Sequence, residues 1–116
     1  MNYAKIKSLL TSISDPVLKL ETVMDLGKTL QPAPPGAECA EISGCASRVQ
    51  ICKSGGVFYG AADSALVRGI VAIILSAQND GVRNLRGEFD SLNLNLGAGR
   101  LNGVASIIGF LESVIK

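Results

Sequence analysis

Three cysteines and no histidine define the side-chain chemistry open to this chain of 116 residues. The cysteines are Cys39, Cys45 and Cys52, and Cys45 is flanked by small residues in the run Gly44-Cys45-Ala46-Ser47. Glycine permits a tight turn, which would present the sulfur with little steric cover. Because the chain cannot build a Cys-His or Ser-His pair, a reactive Cys45 thiolate would depend on Arg48, on backbone donors or on a partner's groups.

The spacing of the cysteines argues against a metal site. Five and six residues separate them, whereas zinc knuckles and thioredoxin-like motifs use a separation of two. Cys52 falls on a predicted strand, where a buried structural thiol is the ordinary explanation. Cys39 falls in a proline-rich connector, where we expect an exposed thiol that is idle or accessory. An odd number of cysteines is poorly explained as a disulfide framework, which favours a cytoplasmic location.

Composition and charge exclude several classes of protein. The length predicts a single domain over residues 1–116, and the apolar share of 47% predicts a well-developed core. The net charge of +1 and the lack of a basic cluster argue against binding to nucleic acid or to a membrane surface. The longest apolar stretch, at 66–75, is shorter than the roughly 20 residues of a membrane span. The first seven residues lack the apolar core of a secretory signal, which again favours the cytoplasm.

Apolar periodicity predicts helices on either side of a small sheet. The predicted helices cover residues 3–12, 16–30, a core segment that begins near 62–63, and about 99–115. Two β-rich runs, near 47–53 and 56–61, are joined by Ser54-Gly55-Gly56 and predict a hairpin, and the pattern also allows a third strand near 41–44. Because strands and helices do not alternate, the predicted fold class is α+β. We expect about three antiparallel strands covered by N- and C-terminal helices.

The run Gly44-Cys45-Ala46-Ser47-Arg48-Val49 resembles the Gly-Cys-Gln-Ser-x-Val signature of SufE-like sulfur acceptor proteins of iron–sulfur cluster assembly. The resemblance covers about residues 15–115. Two positions depart from the pattern, since Ala46 replaces the glutamine and Gln50 stands where the family usually has tryptophan. Other landmarks of the family follow in the same order: Leu26-Gly27 before the proline-rich connector, 62–69 at the start of the core helix, and 99–103 at the start of the last helix.

The resemblance implies that Cys45 accepts persulfide sulfur from a pyridoxal-phosphate-dependent cysteine desulfurase, stimulates that enzyme and passes the sulfur to an iron–sulfur cluster scaffold. The chain would then be a sulfur-transfer protein and not a stand-alone enzyme. It would need no cofactor of its own, because the pyridoxal phosphate belongs to the desulfurase, and it would be a monomer or a weak dimer. The resemblance also implies that further residues shape the loop or contact the partner: Gly44, Ser47, Arg48, Asp63 and Arg100.

The residue types alone allow simpler roles for two of these positions. Asp63 is equally well explained as a helix N-cap. Arg100 falls in the first turn of a helix, where its charge opposes the helix dipole, so a carboxylate partner is expected either within the chain or outside it.

Two alternative functions remain open from the sequence. The first is an interaction or regulatory module that binds a desulfurase or another partner without carrying sulfur. The second is a small thiol oxidoreductase that pairs Cys45 with Cys39 or Cys52, and the absence of closely spaced cysteines disfavours it.

Overall fold

A computed structural model describes residues 2–44 and 48–115 of the chain. In this part of the chain the helices pack against one face of a small sheet. The strands form an antiparallel sheet in the order β1-β2-β3. The predicted α+β class, with N- and C-terminal helices on an antiparallel sheet, is therefore confirmed. The elements in chain order are α1 (Tyr3–Ser12), α2 (Pro16–Leu26), a 3-10 turn (Gly27–Thr29), β1 (Glu38–Glu41), β2 (Val49–Ser54), β3 (Val57–Ala62), α3 (Ala65–Asn79), α4 (Leu85–Asp90) and α5 (Ala98–Ile115).

Two of the predicted boundaries near the sheet and α2 were wrong. The additional strand lies at Glu38–Glu41 and not at 41–44. Gly44 has a φ of 88°, a left-handed conformation that cannot continue a strand. The second helix ends at Leu26, short of the predicted residue 30, because the chain tightens into the 3-10 turn that follows.

The start of α3 corrects the predicted role of Asp63. The N-cap of this helix is Ser64, whose side chain accepts a hydrogen bond from the Val67 N–H at 3.5 Å. Neither Asp63 nor Ala62 occupies that position. The Asp63 carboxylate is therefore not used as a helix cap and is exposed next to the sheet.

The core helix α3 lies close to both α2 and the sheet because glycines stand at the contact points. A Cβ on Gly69 would lie 1.9 Å from the Val23 carbonyl oxygen of α2. A Cβ on Gly60 of β3 would lie 2.9 Å from the Val71 side chain. Within residues 2–44 and 48–115, no helix combines the length and apolar character needed to cross a bilayer.

The segment between α3 and α5 contains the short helix α4. Asn84 caps it by accepting a hydrogen bond from the Gly87 N–H at 3.2 Å. The buried Lys19 of α2 donates from Nζ to the Leu92 carbonyl oxygen at 2.9 Å. This bond fixes the segment after α4 against the N-terminal helices.

The β2–β3 connection confirms the predicted hairpin. Ser54 pairs with Val57, so the turn has two residues, Gly55 and Gly56. Their φ angles are 59° and 81°, as a type I′ turn requires and as glycine readily allows.

A disulfide joins Cys39 of β1 to Cys52 of β2. Both residues were predicted to be free thiols, and both predictions were wrong. Cys52 is buried, with 2% of its surface exposed, but it is not a free thiol. Cys39 is exposed but neither idle nor free. The strand register places the two residues directly opposite each other, and paired residues on neighbouring strands are close enough for a disulfide.

Candidate functional site

The β1–β2 connection, residues 42–48, carries the Gly-Cys step, and we call it the cysteine loop. The Ile42 N–H donates to the Val49 carbonyl oxygen at 2.9 Å, which closes the base of the loop. Cys45, Ala46 and Ser47 lie outside the described residues. The site roles of Cys45 and Ser47 therefore stay predictions, while the two ends of the loop are defined by the structure.

Gly44 holds the first end of the cysteine loop against α5. Its φ of 88° lies in the region that favours glycine, and a Cβ at this position would lie 2.5 Å from the Ser106 Oγ. A side chain here would adopt a strained backbone conformation and would require the Ser106 hydroxyl to rotate away. The residue before Cys45 therefore sets where the loop leaves the body of the molecule.

Arg48 holds the other end of the cysteine loop through an ion pair with Glu41. The Arg48 Nε donates to the Glu41 Oε1 at 3.1 Å, and Nη2 bonds the same oxygen. Both side chains are largely exposed, so the pair contributes little to stability. The pair instead matters for electrostatics. It places a negative group, Glu41, at the last residue of β1 and a positive group, Arg48, at the end of the loop.

The Glu41 carboxylate, through its hydrogen bond and its charge, raises the pKa of the Arg48 guanidinium above its ordinary value, and the charge of Asp63 adds to this. Arginine is protonated at any physiological pH, with or without these carboxylates. Arg48 is thus a permanent positive charge three residues after Cys45.

Asp63 lies beside Arg48 at the end of the cysteine loop, and its role toward the loop or a partner stays a prediction. The Asp63 N–H donates to the Arg48 carbonyl oxygen at 3.2 Å, between the end of the loop and the start of α3. An open cleft of about 150 Å³ lies here. Its lining residues are Glu41, Arg48, Val49, Gln50, Ala61, Ala62 and Asp63.

Arg100 is not gathered into this cluster. It is exposed in the first turn of α5, six residues before Ser106, which corresponds to about 9 Å along the helix axis. Among residues 2–44 and 48–115 it has no carboxylate partner. A carboxylate partner for Arg100 was expected either within the chain or outside it, and the described part of the chain supplies none.

Gln50, the position of the unusual glutamine, is exposed. It pairs with Glu41 on one side and with Ala61 on the other, whereas the flanking Val49 and Ile51 are buried beneath the helices. A tryptophan here would lie on the outer face of the sheet. The glutamine therefore removes apolar surface beside the cleft without opening the core.

Sequence reasoning missed two residues that position the loop, Glu41 and Ser106. Glu41 had a detectable signal, because it and Arg48 carry opposite charges and stand at the two ends of one short connection. Ser106 had none, since a serine on a helix that also carries buried Val104 and Ile107 shows no sign of a loop contact.

The fold and the loop define a class of protein: a small α+β domain whose β1–β2 connection carries one cysteine. The family model described as "SufE: Fe-S metabolism associated domain" matches residues 4–114. The chain therefore belongs to the SufE family, and its role lies in iron–sulfur metabolism with the partners of that metabolism. A search among curated proteins found no match.

Proposed function

We propose that this protein is a sulfur acceptor that takes persulfide sulfur from a cysteine desulfurase onto Cys45. The observation that carries the proposal is the disulfide between Cys39 and Cys52. The chain has three cysteines, so the disulfide leaves Cys45 as the one cysteine that it does not use. Membership of the SufE family supports the same assignment.

The reaction is a thiol–disulfide type of exchange. The Cys45 thiolate attacks the outer sulfur of the persulfide on the desulfurase cysteine. The sulfur–sulfur bond of that persulfide breaks, the desulfurase cysteine leaves as a thiolate, and Cys45 becomes a persulfide. Clearing the persulfide frees the desulfurase for its next turnover, which accounts for stimulation.

The charges at the base of the cysteine loop support this chemistry. A fixed positive charge near a cysteine favours the thiolate, which is the nucleophile. Arg48 stands three residues after Cys45, and because the Glu41 carboxylate pairs with its guanidinium, its charge acts fully on the thiolate only when Glu41 is displaced. We expect the cleft beside Arg48 and Asp63 to face the desulfurase.

Cofactor chemistry belongs to the partner in this proposal. The pyridoxal phosphate that releases sulfur from cysteine is bound by the desulfurase, and this protein carries sulfur without a cofactor of its own. The persulfide on Cys45 then passes its outer sulfur to an iron–sulfur cluster scaffold by a second exchange of the same type.

Desulfurase turnover tests the proposal. A cysteine desulfurase is assayed for alanine formation alone, with the wild-type protein, with Cys45→Ser, and with the Cys39→Ser/Cys52→Ser double variant. We expect wild type and the double variant to stimulate turnover and Cys45→Ser to lose the stimulation. Full stimulation by Cys45→Ser would instead favour a module that binds the desulfurase without carrying sulfur.

A further inference from the structure

The Cys39–Cys52 disulfide lies on the face of the sheet that the helices leave open. The other residues on this face by strand alternation are Glu41, Gln50, Ser54, Val57, Tyr59 and Ala61. Each of them is exposed or half-buried. Cys39 is therefore the solvent-exposed half of the disulfide on this face, whereas Cys52 is covered, with 2% of its surface exposed.

We propose that Cys39 and Cys52 form a reversible redox pair whose state sets how firmly β1, and with it Ile42 at the base of the cysteine loop, is held against β2. The proposal adds regulation to the proposed function and rests on it only for the importance of Cys45. The redox chemistry and its effect on the loop stand on the geometry of β1 and β2 alone.

The two sulfurs differ in access, which defines how the pair reacts. Cys39 is exposed on an edge strand, whereas Cys52 has 2% of its surface exposed. An external thiolate therefore attacks the Cys39 sulfur, the Cys39–Cys52 bond breaks, and Cys52 leaves as a thiolate that takes up a proton. A second thiol then attacks the mixed disulfide and releases Cys39. Two external thiols are oxidised to one disulfide, and the protein disulfide is reduced to two thiols.

The fold does not depend on this disulfide for its core. The large buried side chains belong mainly to the helices and to the inner face of the sheet, and small domains that need disulfides are those without a sufficient core. Exposed disulfides in a self-sufficient domain are the labile ones. Opening the bond is therefore a local event.

Opening of the Cys39–Cys52 bond affects the cysteine loop through β1. This strand has four residues and pairs, within the described residues, with β2 alone. Cys39–Cys52 is followed in register by Ala40–Ile51 and Glu41–Gln50, and then by the Ile42–Val49 hydrogen bond that closes the loop. Without the cross-link, these few ladder bonds are what holds the strand that leads into the loop.

Amide hydrogen exchange under defined redox conditions tests the inference. The full chain carrying Cys45→Ser is equilibrated in a series of reduced and oxidised glutathione mixtures, and the state of the pair is read by alkylation and peptide mass. We expect the pair to change state within the series. Reduction should speed exchange of the Ile42 amide by about tenfold or more, while amides in the middle of α3 stay unchanged.

Matched variants in the same Cys45→Ser background sharpen the test. The Cys39→Ser/Cys52→Ser variant should exchange at the fast rate in every mixture. Cys52→Ser should collect a glutathione adduct on Cys39 faster than Cys39→Ser collects one on Cys52.

Two results would overturn the inference: a pair that stays oxidised, or stays reduced, across the whole series, and exchange of the Ile42 amide that is equal in the two states. Because Cys45 and the desulfurase take no part in these measurements, failure here is distinct from failure of the sulfur-acceptor function.

Discussion

Gly44 links the cysteine loop to α5, and its replacement tests that link. Gly44→Ala places a Cβ 2.5 Å from the Ser106 Oγ and forces a side chain into a left-handed conformation, which costs about 1–2 kcal/mol. We expect a lower free energy of unfolding, measured by urea denaturation, and slower acceptance of sulfur because the loop is displaced.

Ser106→Ala provides the control. In the Gly44→Ala/Ser106→Ala variant the oxygen is gone and the remaining Cβ contact of 3.5 Å is ordinary, so part of the lost stability should return. A Gly44→Ala protein as stable and as active as wild type would contradict the packing described for this end of the loop.

Tyr3 gives the molecule a predicted sensitivity to alkaline pH. Burial raises the pKa of Tyr3 from 10.0 to about 12, with the nearby Glu88 carboxylate acting in the same direction. Between those values the unfolded chain loses the phenolic proton while the folded protein keeps it. The folded state therefore binds more protons there, and its stability falls as the pH rises through this window.

Urea denaturation from pH 8 to 11 checks this, in the Cys45→Ser background so that no free thiolate reshuffles the disulfide. Tyr3→Phe should reduce the alkaline loss of stability. Each protein is compared with its own stability at pH 8, because removal of the hydroxyl also removes its interaction with Glu88. An unchanged slope in Tyr3→Phe would show that other groups cause the loss.

At the scale of elements, the crossing of α2 and α3 depends on Gly69. Gly69→Ala would bring a Cβ to 1.9 Å from the Val23 carbonyl oxygen, so the helices must separate. Overpacking of this kind costs about 1–3 kcal/mol or more. Thermal unfolding should show a clear drop in Tm.

Gly109→Ala in α5 is the matched substitution, since Gly109 is exposed and a Cβ there meets nothing within 4 Å. Alanine should stabilise this helix by about 0.5–1 kcal/mol. Equal effects of the two substitutions would contradict the close crossing of α2 and α3.

The elements could be predicted where local pattern decides them. Apolar spacing and the Gly55-Gly56 turn were sufficient for the long helices and the hairpin. The prediction of Asp63 as the N-cap of α3 was wrong by one residue, because Asp63 and Ser64 are neighbours of similar capping ability and the helix uses Ser64. The disulfide was missed because it depends on strand register: with a strand expected at 41–44, Cys39 fell into the connector and had no partner opposite.

The candidate site was predictable only in part, for a similar reason. The motif around Cys45 identified the loop, and Arg48 and Asp63 were expected near it. The pairing of Arg48 with Glu41 and the packing of Gly44 on Ser106 are contacts made by folding. They bring residues from a strand end and from α5 to the loop, and spacing along the chain does not encode them.

At the scale of the whole molecule, Arg100 tests how the protein meets its partner. It is exposed on α5, and we expect it to pair with an acidic group of the desulfurase. Arg100→Glu should weaken binding about tenfold, or about 1.4 kcal/mol, because like charges at an interface repel. Binding is measured by isothermal titration calorimetry at two salt concentrations.

Arg86→Glu in α4 changes the net charge by the same amount at another exposed arginine. It should bind nearly as wild type does. Equal weakening by both variants would show that overall charge, and not contact by Arg100, governs association.

The most direct test of the sulfur-acceptor proposal is the mass of the protein after incubation with a cysteine desulfurase and cysteine. The account predicts a gain of about 32 Da, one sulfur atom, which maps to the Cys45 peptide and is reversed by a thiol reductant. The Cys39→Ser/Cys52→Ser variant should gain the same mass. A gain that maps to Cys39 or Cys52, or no gain beside an active desulfurase that binds the protein, would contradict it.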